Sequence, residues 1–82
     1  MKLYVDVRTP GNGKVYEFQL ESAMTVGQAK QKMIEEILEI EQGNVVLKDS
    51  AVLSNITSKS RLNDGDTLRA AGVRSGNTLI LL

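Results

Sequence analysis

The sequence has no cysteine, no histidine and no tryptophan, one proline, and only two tyrosines and one phenylalanine among 82 residues. Each absence removes a class of chemistry. Without cysteine there are no disulfides, thiolate nucleophiles or zinc clusters. Without histidine the commonest general base and metal ligand is gone. A lone proline, Pro10, marks a turn and not a linker. The ten basic and ten acidic side chains cancel, which argues against nucleic acid as a partner. Residues 1–41 carry five basic and seven acidic groups and residues 42–82 carry five and three, a mild asymmetry. No apolar run approaches a membrane span, so direct membrane insertion is not expected. The N-terminus reads as a strand and not as a signal peptide, which makes the cytoplasm the expected location.

What is present is aliphatic. Ten leucines, eight valines and five isoleucines supply a core with almost no aromatic content. With 41% apolar and 24% charged residues the chain reads as globular, and residues 1–82 fit one small domain.

Residues 2–8 alternate, with Leu3, Val5 and Val7 on one face and Lys2, Tyr4, Asp6 and Arg8 on the other, as in a half-buried strand. Thr9-Pro10-Gly11-Asn12-Gly13 is dense in turn formers. Residues 14–20 alternate again, with Tyr16, Phe18 and Leu20 opposite Glu17 and Gln19, which completes a β-hairpin. Then the period lengthens. After Thr25, the residues Val26, Ala29, Met33, Ile37 and Ile40 form one helical stripe, widened by Ile34 and Leu38. Thr25-Val26-Gly27-Gln28 fits a capping box, and Gly43-Asn44 suits the left-handed backbone of a helix end. Val45-Val46-Leu47-Lys48 reads as a short strand and Ala51-Val52-Leu53 as a weaker one. Residues 54–66 read as polar loop. Residues 67–71 read as one helical turn stopped by Gly72, with Asp66 as its cap. Arg74-Ser75-Gly76-Asn77 is a turn, and Thr78-Leu79-Ile80-Leu81-Leu82 is a closing strand, apolar on both faces and therefore central.

This order of elements resembles the ubiquitin-like β-grasp. The resemblance rests on Leu3-Tyr4-Val5, Thr25-Val26 at the helix start, Asp64-Gly65-Asp66-Thr67-Leu68, Val73 after Gly72, and Thr78-Leu79-Ile80-Leu81. It implies an α+β fold, a mixed sheet of four to five strands packed on one long helix, with the first and last strands parallel, adjacent and central. Ubiquitin-type modifiers and bacterial sulfur carriers end in a flexible Gly-Gly tail, whereas this sequence ends at Leu81-Leu82. The resemblance therefore implies a non-enzymatic interaction module. The alternative is a modifier or sulfur carrier whose Gly-Gly tail is absent from this chain. The stretch from Val73 to Leu82 is also similar to the ending of the YukD/EsaB-like group of bacterial ubiquitin-like proteins, which is associated with WXG100 (type VII) secretion. That likeness implies a cytoplasmic accessory factor whose partner is a protein of the secretion machinery. It implies no cofactor and leaves the oligomeric state open.

Four polar clusters admit a chemical reading and a plainer one. Gly11-Asn12-Gly13-Lys14 lacks the frame and the Ser/Thr of a phosphate loop and joins two strands, so it reads as a hairpin turn. Asn63-Asp64-Gly65-Asp66 lacks the third ligand position and the distal glutamate of a calcium loop. Glu35, Glu36, Glu39 and Glu41 have no partner nucleophile and read as a solvated helix face. Ser58-Lys59-Ser60 has nothing to bury its lysine and reads as loop. The remaining candidate is apolar. If Leu79 and Leu81 face the helix, alternation turns Ile80 and Leu82 to the open side of the sheet. Leu47 is expected beside them, at the place matching the patch that ubiquitin's partners use. Leu47, Ile80 and Leu82 are thus the expected partner-binding residues. The competing reading buries Leu47 by a register offset and leaves the rest as scattered exposure.

Overall fold

Strict alternation of aliphatic with polar residues drives the first two elements into a hairpin. In the computed structural model, which describes residues 1–44, 47 and 51–82, β1 (Lys2–Thr9) and β2 (Lys14–Glu21) pair antiparallel. Leu3, Val5 and Val7 of β1 and Phe18 and Leu20 of β2 are buried on one face. The Thr9 carbonyl closes the turn by accepting the amides of Asn12 and Gly13 at 3.2 and 3.0 Å.

The helix α1 (Val26–Ile40) packs on that face. Its start is the capping box read from the sequence. The Thr25 hydroxyl accepts the Gln28 amide at 3.1 Å, and the Gln28 side chain accepts the Thr25 amide at 3.0 Å. Val26, Ala29, Met33 and Ile37 are fully buried and Ile34 nearly so. Ile40, expected on the same stripe, is instead 61% exposed. Its angle around the helix is right, so the last turn runs past the buried cluster.

A Schellman motif ends the helix. The Gly43 amide donates to the Leu38 carbonyl at 2.9 Å and the Gln42 amide to that of Glu39 at 3.2 Å. Left-handed backbone begins one residue before the expected glycine, with φ 53° at Gln42 and 77° at Gly43. A side chain there costs roughly 1–2 kcal/mol, which glycine relieves at some expense in chain entropy. Gln42→Gly is therefore expected to raise stability by about 0.5–1 kcal/mol, read as a higher denaturant midpoint at unchanged slope. A lower midpoint would show that the Gln42 side chain stabilises the helix end by another route.

Beyond the helix, one strand runs into residues expected to be loop and another lies wholly within them. β3 (Leu53–Asn55) begins at the end of the expected weaker strand, and β4 (Ser60–Arg61) lies wholly within the polar stretch. Such short strands have too few apolar positions to show a period. Specific polar bonds hold them instead. Asn55, 1% exposed, donates its Nδ2 to the Asn77 Oδ1 at 3.0 Å, and its own Oδ1 accepts the Ser58 amide at 3.3 Å. The Thr57 hydroxyl accepts the Thr78 amide at 2.9 Å. β5 (Thr78–Leu81) runs parallel to β1 and antiparallel to β3, and the sheet order is β2-β1-β5-β3-β4. The first and last strands are thus adjacent, parallel and central, as the β-grasp resemblance implies. The strand expected at residues 45–48 lies outside the described residues, Leu47 excepted.

The remaining loops lean on the helix start. The Gly27 amide donates to the Asp64 carbonyl at 3.0 Å, and a Cβ on Gly27 would stand 3.3 Å from that oxygen. Thr67, and not Asp66, caps the turn before Gly72, because its hydroxyl accepts the Ala70 amide at 3.0 Å. Asp66 contributes its carbonyl, which accepts the Val26 amide at 2.8 Å. Gly72, at φ 80°, ends that turn between buried Leu68 and Val73.

Candidate functional site

The helix covers one face of the sheet only. On the other face the strand register sets Val15, Arg8, Ile80, Ser54 and Arg61 in one row across all five strands. Next to that row lie Leu82 and Val52, whose backbones exchange two hydrogen bonds of 2.8 and 3.0 Å. Leu79 and Leu81 point into the core. Their neighbour Ile80 is half-buried, while Leu82 is 67% exposed. Val15 is exposed as well, and Val52 is half-buried.

Leu47 is placed differently. The strand beside β5 begins at Leu53, so Ser54 and not Leu47 stands opposite Ile80. Leu47 is half-buried and packs against the hydrophobic core. Val52 and Arg61 enter the face unannounced by the sequence, because their places depend on β3 and β4. Only the weaker strand expected at Ala51-Val52-Leu53 pointed that way, for Val52 alone.

Two cations share the row with Ile80. Arg8 is its direct neighbour on β1, and Arg61 lies beyond Ser54 on β4. Neither makes a salt bridge among the described residues. Farther along the hairpin the same face turns acidic, with Asp6 directly opposite Glu17. The face is therefore graded, aliphatic and basic toward the end of β5 and acidic on the hairpin.

The other clusters are engaged in holding the fold. Lys14 donates to both Glu41 oxygens at 2.5 and 2.6 Å, fastening the hairpin to the helix end. That hydrogen bond holds the Glu41 carboxyl below its ordinary value and raises the Lys14 ammonium above its own. Glu35, Glu36 and Glu39 are solvent-exposed. Asp64 accepts from Lys30 at 2.9 Å. The Ser58 and Ser60 hydroxyls bond each other at 2.6 Å across a turn in which Lys59 has φ 56°. Among the described residues no three acidic side chains gather as a metal site, and no helix is long and apolar enough to cross a membrane.

No protein-family profile matches the sequence, and no curated protein matches it either. Solved structures do match in shape. Ubiquitin of Caldiarchaeum subterraneum superposes with a TM-score of 0.72 at 20% identity, over 99% of this chain and 91% of that one. The fold is ubiquitin-like. The UBL domain of Plasmodium falciparum Dsk2 gives 0.73 at 26% identity over 99% and 96% of the two chains. A protein designed de novo from ubiquitin gives 0.76 at 17% identity over 99% and 87%. These ubiquitin-like structures share the chain's whole length and little of its sequence.

Proposed function

We propose that this ubiquitin-like domain is a non-catalytic interaction module that docks a protein partner on the open sheet face. The carrying observation is the aliphatic group formed by Ile80, Leu82 and Val52, with Arg8 and Arg61 in the row through Ile80. Exposed aliphatics gain by being covered, and arginines that make no salt bridge among the described residues select for carboxylates around them. The matching partner surface is aliphatic at its centre and acidic at its rim.

The finer reading is that of a cytoplasmic accessory factor of WXG100 (type VII) secretion. Its support is the similarity of the stretch from Val73 to Leu82 to the ending of the YukD/EsaB-like group. The test combines Ile80→Thr with Leu82→Ser and measures binding to purified WXG100 proteins and the cytoplasmic domains of the secretion ATPase. The variant should stay folded and bind at least about tenfold more weakly. Undiminished binding by the folded variant would remove the docking face. Absence of binding by the unaltered protein to any of these components would remove the secretion role.

A further inference from the structure

A concave surface lies near the other end of β5. A cleft of about 400 Å³ is bordered by Met1, Ser22, Arg69, Gly72, Arg74 and Ser75, with Leu3 and Val73 beneath. The floor is apolar, since both of those residues belong to the core. Among the described residues no carboxylate lines the cleft, and the nearest to its edge, that of Glu21, is 3.4 Å from the Met1 ammonium. Its two arginines are exposed and make no salt bridge among the described residues. The frame around them is well tied. The Ser22 carbonyl accepts the Arg69 amide at 3.0 Å, the Ser22 amide donates to the Met1 carbonyl at 2.9 Å, and the Ser75 hydroxyl accepts the Tyr4 amide at 3.1 Å. The Arg69 guanidinium leans toward the Ser22 hydroxyl, 3.5 Å away. Gly72 leaves the cleft open, because a Cβ there would meet nothing within 4 Å.

We infer that this cleft receives an acidic peptide segment of a partner protein. An aliphatic side chain lies over Met1 and the apolar floor, and a carboxylate meets Arg69 and Arg74. Planar guanidinium groups match carboxylates in geometry as well as charge. The size falls within the range of ligand sites. The cleft lies by the turn that leads into β5 and the aliphatic group lies at that strand's far end, so both surfaces can be occupied at once and neither proposal depends on the other.

The test is amide chemical-shift mapping of the whole chain with a capped Glu-Leu-Glu peptide, a capped Lys-Leu-Lys peptide and sodium phosphate as separate probes. The acidic peptide should perturb the amides of Ser22, Arg69, Gly72, Arg74 and Ser75, with a dissociation constant on the order of millimolar for so small a contact. Arg69→Gln combined with Arg74→Gln should weaken it at least tenfold. Both side chains are exposed, so the variant should keep its fold, which its own spectrum reports. Ile80→Thr with Leu82→Ser should leave this binding unchanged. Equal binding of the basic peptide, saturation by phosphate alone at the same concentration, or persistence of the shifts in the arginine variant would each overturn the inference.

Discussion

Leu79→Ala should cost about 3 kcal/mol, whereas Leu82→Ala should cost less than about 0.5 kcal/mol. Both residues are leucines at the end of one chain, and both fall in a run that the sequence alone shows as uniformly apolar. They differ in which side of the sheet they face. Leu79 is fully buried in the central strand, with Val7 and Asn55 as its cross-strand neighbours. Truncating it removes apolar contacts and leaves a cavity between sheet and helix that β5, pinned on both edges, cannot close. Leu82 is 67% exposed and loses little. A domain of 82 residues is stable by roughly 4–12 kcal/mol, so the first loss is a large share of the total. It should lower the melting temperature by roughly 12–24 °C. Equal losses in the two variants would mean that Leu82 is not on an open face, and the docking proposal would fall with it.

That contrast also marks how much the sequence discloses. Period-two alternation over residues 2–8 and 14–20 specified both hairpin strands and which residues of each are buried. Thr25 and Gln28 specified the helix start, because a capping box is a local bond pattern that needs no tertiary context. The adjacency of β1 and β5 came from resemblance and from the apolar closing run. The missed strands have one cause, and Leu47 and Ile40 have their own. Where a residue's place depends on distant polar partners, local pattern is silent. β3 and β4 are held in part by Asn55, which bonds Ser58 and, in the turn before β5, Asn77, and by Thr57, which accepts the Thr78 amide of β5 itself, so much of the stretch looked like loop. Leu47 was expected on the open face because the strand beside β5 was sought too early in the chain. Ile40 follows the helical stripe correctly but stays largely exposed, past the buried cluster. Asp66 and Thr67 are both good caps by residue type, and only the fold decides that the hydroxyl of Thr67 reaches the Ala70 amide. Of the proposed docking face, then, Ile80 and Leu82 were legible through alternation, while Val52, Arg8 and Arg61 became neighbours only through register.

The buried Asn55 of that stretch, paired with half-buried Asn77, yields the second large effect. Asn55→Asp should cost about 3 kcal/mol or more at neutral pH and markedly less near pH 3. Asn55 is 1% exposed, and its Nδ2 donates to Asn77 Oδ1, which also accepts the Arg74 amide at 2.9 Å. The substitution keeps the shape and replaces the donor with an oxygen. An ionised carboxylate would then face another acceptor in a site closed to water. Asn77 could turn its amide to donate, but the Arg74 amide would lose its acceptor. Protonation offers a way out, since a carboxylic acid can donate to Asn77 as the amide did. The introduced carboxyl is therefore held above its unfolded value of about 3.9. The unfolded chain releases that proton first, so the variant loses stability relative to the parent as pH rises from about 3.9 to the higher folded value. The penalty is complete above that value and absent below about 3.9. Chemical denaturation of parent and variant at several pH values measures the difference directly. A penalty that stayed constant from pH 3 to pH 7 would mean that the Asn55–Asn77 bond does not hold β3 to the turn that launches β5.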